Sequence, residues 1–298
     1  MLLRQLILCV LIFSEYSLAA IEVVDDGGDI LTLERPAKRI ISLAPSITEV
    51  LFYIGAGAQV VGADEYSNYP SQANEITRVN NHAATNYELI LSLKPDLVIA
   101  WQSGNGEKVI GRIRELGLPV FVVETSSLQE IPSLYKRLGQ LSGRDAEATL
   151  QANHFSKKLD KLYRAYYSKP KIRLFYQTWD DPLMTLNGDH LISHMIALCG
   201  GINLFADAVA LVPYVNIESV LSADPQIIIS GGNSEKDLLD SGFWRKWTGV
   251  SAVKNQHLYA IPSDLLQRHS GRILEGTHVM CEYIDRVRRT MVQKAIDH

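Results

Sequence analysis

The sequence lacks the motifs of several common enzyme classes. It contains no Gly-x-Ser-x-Gly nucleophile motif, no His-Glu-x-x-His zinc motif and no phosphate-binding P-loop. Gly104-Asn105-Gly106 follows a predicted strand but lacks the third glycine of a dinucleotide-binding loop. His190 and His194 have helical i, i+4 spacing without a third ligand, so we interpret them as a pair on a helix surface. We therefore expect no catalytic activity, no resident metal and no catalytic cofactor.

The chain also lacks an excess of charge of either sign. Its 29 Lys and Arg residues nearly balance 33 Asp and Glu residues, which gives a formal net charge of −4. Nucleic-acid-binding domains carry a basic patch and membrane-surface proteins a polybasic segment, and neither pattern is present. The composition therefore argues against a nucleic-acid partner.

Long apolar runs are scarce. After residue 20, no segment is apolar over the roughly 20 residues that a transmembrane helix needs. At the start, Arg4, an apolar run at 6–13 and small residues around Ala19 form the pattern of a cleaved signal peptide. We therefore expect residues 1–20 to be removed and the protein to be exported.

Cysteine is rare as well. The chain has three cysteines, and Cys9 lies in the predicted signal peptide, which leaves Cys199 and Cys281. An even pair in an oxidising compartment is most simply one disulfide, which would stabilise the fold by about 2–4 kcal/mol. Two separate buried thiols are the alternative. A zinc site is not favoured, because no Cys or His partners accompany the pair.

Short apolar strands alternate with helical patterns through both halves of the chain. Strands are predicted at 39–43, 60–63, 97–100 and 120–123, and the alternation restarts with a strand at 172–177. Strands that alternate with helices form parallel βαβ units. The pattern therefore predicts an α/β fold with parallel central sheets.

A long helical pattern separates the two halves. Apolar residues recur at helical spacing from 145 to 167, and a helix of that length would span roughly 33 Å. Such a helix can join two lobes, and a packing helix within one lobe is the alternative. We therefore predict an N-terminal lobe at 21–143, an inter-lobe helix at 144–168 and a C-terminal lobe at 169–298.

A short internal repeat relates the two predicted lobes. Residues 88–99 (ELILSLKPDLVI) align without gaps on residues 218–229 (ESVLSADPQIII). Each segment consists of a helix, a proline that stops it and an apolar strand, and each begins with a glutamate, Glu88 or Glu218. The repeat predicts two related lobes on either side of the long helix.

Aromatic and polar residues follow several predicted strands. Tyr66-Ser-Asn-Tyr-Pro follows the second strand, Trp101-Gln-Ser-Gly-Asn the third, and the segment from Asp264 to Arg268 a late strand. Ligands of α/β proteins bind at the carboxyl ends of parallel strands, and aromatic faces supply large apolar contact areas there. We therefore predict that Trp101 lies in a loop and contacts a ligand; a core tryptophan that covers the sheet is the alternative.

These motifs resemble the helical-backbone class of periplasmic binding proteins of ABC importers. The resemblance rests on RIISLAPSITE at 39–49, YSNYP at 66–70 and LKPDLVIAW at 93–101, and continues through CGG at 199–201. Within this class the chain is most similar to the cobalamin-binding subunits. The resemblance implies two Rossmann-like lobes joined by one long rigid helix, with the ligand between them. It also implies a periplasmic monomer that delivers its ligand to a permease dimer in the inner membrane.

The resemblance assigns roles to individual residues. The positions that line the cobalamin cleft in the family correspond here to Tyr66, Trp101, Asp264 and Arg268. The glutamates that form salt bridges with permease arginines correspond to Glu88 and Glu218, and the family disulfide to Cys199 and Cys281. For each glutamate taken alone, a solvated residue at a helix start is the alternative.

Three positions depart from the family pattern. His82 and Val212 stand where the family has tryptophans, and Leu265 stands where it has a bulky aromatic residue. We include His82 among the expected ligand contacts, with a solvated loop histidine as the alternative. Tyr214, two residues after Val212, is expected to supply the missing aromatic surface.

The sequence therefore predicts a solute-binding protein that captures cobalamin or a related corrinoid and has no enzymatic activity. A haem or ferric-siderophore binder with the same fold is the alternative. Siderophore binders commonly place several arginines in the cleft, whereas Arg268 is the one clear candidate here.

Overall fold

Two parallel β-sheets, one from each half of the chain, form the centre of the computed structural model, which describes residues 20–81, 83–232 and 242–296. The strands are β1 (Ile21–Val24), β2 (Ile30–Leu33), β3 (Ile40–Ser42), β4 (Val60–Asp64), β5 (Thr77–Asn80), β6 (Leu97–Trp101), β7 (Val120–Val123), β8 (Ile172–Gln177), β9 (Trp179–Asp180), β10 (Leu183–Met184), β11 (Gly201–Asn203), β12 (Ile227–Gly231) and β13 (Leu258–Ile261). The α-helices are α1 (Pro45–Tyr53), α2 (Tyr87–Ser92), α3 (Gln102–Glu115), α4 (Ile131–Ser142), α5 (Asp145–Tyr166), α6 (Leu191–Leu198), α7 (Ile217–Ala223), α8 (Ser251–Lys254), α9 (Ser263–Gln267) and α10 (Ile273–Ile296).

The two sheets have the same arrangement. The first has the strand order β5-β4-β3-β6-β7 and the second β11-β8-β12-β13, with every neighbouring pair parallel. The second order matches the first when β4, β3, β6 and β7 are paired with β11, β8, β12 and β13. The predicted α/β class with two lobes and parallel central sheets is confirmed.

The internal repeat corresponds to equivalent elements of the two lobes. Helices α2 and α7 are capped alike, because Leu89 N donates to Asn86 Oδ1 and Ser219 N donates to Asn216 Oδ1, at 3.0 and 2.8 Å. Both helices are followed by a residue with positive φ, 47° at Lys94 and 43° at Asp224. Each proline then leads into an inner strand, β6 or β12. The repeat therefore extends to the caps and to the backbone turn before each proline.

Helix α5 connects the lobes through a continuous core. Its buried face is formed by Ala148, Ala152, Phe155 and Leu159. These side chains belong to one cluster of buried apolar residues that runs from the first sheet to the second sheet and α10. Separate clusters cover the other face of each sheet. Because the core is shared, the long helix packs on both lobes rather than crossing a solvent gap.

A disulfide and a buried arginine attach the C-terminal helix α10 to the rest of the second lobe. Cys199, directly after α6, is bonded to Cys281 in α10, with their Cα atoms 4.6 Å apart. Arg288 of the same helix is buried and donates to the carbonyl oxygens of Pro170 and Cys199, at 2.7 and 2.6 Å. The predicted pairing of the two cysteines is confirmed.

Some elements were not predicted from the sequence. These include helix α4 and the antiparallel hairpin of β1 and β2, which packs beside it, as well as strands β5, β9, β10 and β11 and the short helices α8 and α9. Within the described ranges, none of the helices has both the length and the apolarity to cross a membrane. Residues 1–19 of the predicted signal peptide lie outside the described residues.

Candidate functional site: a cleft between the lobes

A cavity of about 390 Å³ lies between the two lobes. The N-terminal lobe lines it with residues that include Pro45, Tyr66, Asn68 and Trp101, and the C-terminal lobe with Asp264, Gln267, Arg268 and His269. A second cavity of about 290 Å³ extends over the N-terminal lobe and shares Tyr66 and Trp101. Most of the lining residues lie at or just after the carboxyl ends of β3, β4, β6, β7 and β13. This is where α/β proteins bind ligands.

Trp101 stands at the rim of this cleft in a fixed position. It is the last residue of β6, its side chain is 36% exposed, and its backbone N donates to Asn105 Oδ1 at 2.7 Å. Asn105 Nδ2 in turn donates to the Leu43 carbonyl at 3.0 Å. The indole ring lies directly over Gly104, where an added Cβ would stand 1.9 Å from a ring carbon. The expected loop is therefore corrected: the chain turns into α3 at Gln102, and that helix is kinked at Gly106.

Tyr66 also lines both cavities. Its side chain is 53% exposed, and its backbone N donates to Asp64 Oδ1 at 2.9 Å. Asp64 is buried at the end of β4, and Asn80 Nδ2 donates to its other oxygen at 2.8 Å. Burial raises the pKa of Asp64, while these two hydrogen bonds act in the opposite direction. The segment that presents Tyr66 is therefore attached to the sheet.

Arg268 crosses between the lobes at the floor of the cleft. It is 8% exposed, and its Nη1 donates to Glu49 Oε1 and Asn68 Oδ1 at 2.8 and 2.7 Å. Its Nη2 contacts the Tyr66 carbonyl at 3.3 Å and Asp264 Oδ2 at 2.9 Å. Both terminal nitrogens are thus engaged by protein oxygens. Arg268 lines the cavity as the sequence suggests, but its charge is already paired.

Glu49, which the sequence analysis did not single out, is the centre of this network. Its carboxylate in α1 is buried and accepts from Arg268, from Arg272 at 3.1 Å and from the Ser270 hydroxyl. The Arg272 guanidinium also lies 4.0 Å from the centre of the Tyr69 ring. Two acids, Glu49 and Asp264, face two arginines at the floor, so the charges there balance. In the sequence Glu49 belongs to the family motif at 39–49, and no local pattern indicates its partners more than 200 residues away.

Tyr214 lies on the C-terminal lobe but does not line either cavity. Its side chain is 71% exposed, and its backbone pairs with Met184 of β10. Met184 also pairs with Trp179 of β9, which is 59% exposed. Trp179 follows β8 after one intervening residue, Thr178, and is outside the residues that line either cavity.

The other positions singled out in the sequence do not line the cavity between the lobes in the described part of the chain. His82 lies outside the described residues. Val212 and Leu265, which replace family aromatics, are partly buried and pack against the main core. Glu88 and Glu218 are exposed in the first turns of α2 and α7, outside the residues that line the 390 Å³ cavity between the lobes.

The interpretation of His190 as a surface residue is wrong. His190 is half-buried and its Nδ1 accepts from the Ile192 backbone N at 3.1 Å, so it caps α6. Burial, followed by the nearby charges of His269 and His194, lowers the pKa of His190 to about 4. Among the residues that the structure describes, no group of three His, Cys, Asp or Glu side chains could hold a metal ion.

Two α/β lobes with a cavity between the carboxyl ends of their strands define a two-lobed binding protein for small molecules. The family model described as "Periplasmic binding protein" matches residues 40–265, and the chain belongs to this family.

Similar proteins include vitamin B12-binding proteins of known sequence. The chain is 40% identical to the vitamin B12-binding protein of Vibrio cholerae serotype O1 over 250 residues, which cover 84% of this chain and 90% of that protein. It is 34% identical to the vitamin B12-binding protein of Yersinia pestis over 255 residues, 85% of this chain and 89% of that one.

Solved structures share the fold. The crystal structure of the periplasmic vitamin B12-binding protein BtuF of Vibrio cholerae is 38% identical with a TM-score of 0.79, covering 85% of this chain and 98% of that chain. The periplasmic haem-binding protein HutB of Vibrio cholerae has a TM-score of 0.72 at 20% identity, covering 82% and 97%. At that identity the second likeness concerns the fold alone.

Proposed function

We propose that this protein binds cobalamin or a related corrinoid in the cleft between its lobes and delivers it to the permease of an ABC importer. The observation that carries this proposal is the 40% identity to a vitamin B12-binding protein along 90% of that protein's length. Tyr66 and Trp101 offer exposed aromatic faces on the cleft lining. Such faces suit the large, partly apolar surface of a corrin ring.

The charge balance of the cleft floor favours a corrinoid over haem or a ferric siderophore. The carboxylates of haem and of many siderophores need unpaired cations, whereas the amide side chains of a corrinoid need neutral donors and acceptors. The guanidinium of Arg268 is already paired with Glu49 and Asp264. The cleft therefore offers an anionic ligand little free positive charge.

Two exposed glutamates are the proposed contacts with the permease. Glu88 and Glu218 occupy equivalent sites in the two lobes, each two residues after a capping asparagine. Salt bridges from both would orient the loaded protein with its two lobes on the two halves of a permease dimer. In this proposal the chain acts in the periplasm as a monomeric carrier after loss of its signal peptide, and it performs no catalysis.

Calorimetric titration of the purified protein with cyanocobalamin tests the ligand. We expect saturable binding with one site, which weakens about tenfold or more in Trp101→Ala as a large aromatic contact is lost. Tyr163→Ala is the matched control, because Tyr163 is an exposed aromatic residue on α5 and is not among the residues that line the cleft. Absence of binding at micromolar cyanocobalamin, or binding of haem in its place, would reject cobalamin.

Uptake in a cobalamin-requiring host tests the docking glutamates. We expect Glu88→Ala combined with Glu218→Ala to slow uptake strongly, while Glu115→Ala, a change of an exposed glutamate in α3, leaves it unchanged. Normal uptake by the double variant would contradict the proposed docking sites.

A further inference from the structure

His269 lies at the cleft in a segment that is held from both sides. Its neighbours Arg268 and Ser270 each contact the buried carboxylate of Glu49, which belongs to α1 of the opposite lobe. The backbone that carries His269 is therefore fixed to both lobes. The residue itself is half-buried and lines the same cavity as Tyr66 and Trp101.

The imidazole of His269 has no bonded protein partner in the described part of the chain. No hydrogen bond or ion pair joins its ring to another described residue, although Arg268 beside it makes four such contacts. Half-buried polar rings are usually satisfied by protein or water. A ring without a protein partner on the lining of a ligand cavity is available to the ligand.

This imidazole is also neutral under ordinary conditions. Burial lowers the pKa of His269 to about 4, and the negative charge of Glu130 opposes that change only in part. The nearby His190 has a pKa of about 4 as well. At neutral pH the ring of His269 therefore keeps a lone pair on one nitrogen, which is the form that binds metals.

We propose that His269 is an axial ligand to the cobalt of a corrinoid that arrives with an exchangeable water in one axial position. One ring nitrogen forms a bond to cobalt(III) with its lone pair, the cobalt–water bond breaks, and the water leaves. The oxidation state of cobalt does not change, and no proton is transferred. This inference rests on the proposed function, because it needs a corrinoid in the cleft.

Ligation by His269 makes the affinity depend on which axial ligands the corrinoid carries. Aquocobalamin has one exchangeable axial water, whereas both axial positions of cyanocobalamin are held by strong ligands. Cyanocobalamin therefore binds through the cleft contacts alone. We expect the protein to bind aquocobalamin about tenfold or more tightly than cyanocobalamin, because a bond from cobalt to the protein's imidazole replaces the weaker bond from cobalt to water.

The visible spectrum of the bound corrinoid tests the ligation directly. On mixing with one equivalent of wild-type protein, aquocobalamin is expected to change from the spectrum of the water complex to that of an imidazole complex. Cyanocobalamin is expected to keep its spectrum. In His269→Ala the aquocobalamin spectrum should stay that of the water complex, and added free imidazole should restore the change.

Two other histidines serve as matched controls. His154→Ala removes an exposed histidine on α5, and His190→Gln removes the other histidine whose pKa burial strongly lowers. Both variants should retain the spectral change of the wild type. Loss of the spectral change in His190→Gln, together with its retention in His269→Ala, would show that His190 and not His269 binds cobalt. That result would overturn the proposal.

The outcomes separate the two proposals. Binding of both corrinoids without any spectral change of aquocobalamin in the wild type overturns the ligation and leaves the proposed function standing. Binding of neither corrinoid overturns both. Because the wild-type spectrum alone can refute the ligation, the test does not depend on the folding of His269→Ala.

Discussion

Replacing Glu49 with alanine removes the centre of the inter-lobe network. The Glu49 side chain is 2% exposed and lies 2.8 Å from Arg268 Nη1 and 3.1 Å from Arg272 Nη1. Breaking a buried ion pair costs about 3–5 kcal/mol, because the remaining charge is left buried without its partner. Asp264 still pairs with Arg268, so we expect a loss in free energy of unfolding near the lower figure, about 3 kcal/mol.

Chemical denaturation with a double-mutant cycle measures this loss. Glu49→Ala, Arg268→Met and the double variant together give the coupling energy of the pair. Glu115→Ala is the matched control, because its ion pair with Arg112 has a similar length, 2.9 Å, but is 67% exposed on the glutamate side. Such surface pairs contribute about 0–1 kcal/mol. If Glu49→Ala is no more destabilised than Glu115→Ala, the network does not hold the lobes together as argued.

Three further changes have defined outcomes. Gly104→Ala should displace the Trp101 ring and weaken corrinoid binding about tenfold. Gly111→Ala in the same helix should bind normally in calorimetry, because its added Cβ would meet only Glu107 Oε1, at an ordinary contact distance of 3.8 Å. The folded-state pKa values of His190 and His269, about 4, lie below the usual 6.5, so the unfolded chain takes up protons first as pH falls. The contribution of these two histidines to the free energy of unfolding should therefore be fully present above pH 6.5. It should decline toward pH 4, by up to about 3 kcal/mol per histidine in denaturation curves. Reduction of the disulfide, whose cysteines are 82 residues apart, should lower the free energy of unfolding by about 4 kcal/mol; an unchanged denaturation midpoint would contradict its role.

The local patterns of the sequence were sufficient for most of the fold. Buried parallel strands are continuous apolar runs, so β7 at 120–123 and β8 at 172–177 coincide with their predictions. The stripe from 145 to 167 became α5, which ends at Tyr166. Helix α4 was missed although Leu134, Leu138 and Leu141 have helical spacing. Its proline occupies the first turn, where the missing N–H costs nothing, so it begins the helix instead of breaking it.

Sequence alone determined the α/β class, the paired lobes and the order of the strand-end segments, since these depend on periodicity and on residues close together along the chain. It also identified Tyr66, Trp101, Asp264 and Arg268, all of which line the cavity between the lobes. Their roles toward a ligand remain predictions.

Only the tertiary structure decided what these residues touch. Arg268 meets Glu49 across 219 positions of sequence, so its charge is paired in a way that no local pattern reveals. In the sequence His269 is one of eight scattered histidines. The fold places it at the cleft, half-buried and without a bonded protein partner among the described residues. Long-range ion pairs and burial arise when separate elements pack together, and the sequence therefore specifies them only through the complete fold.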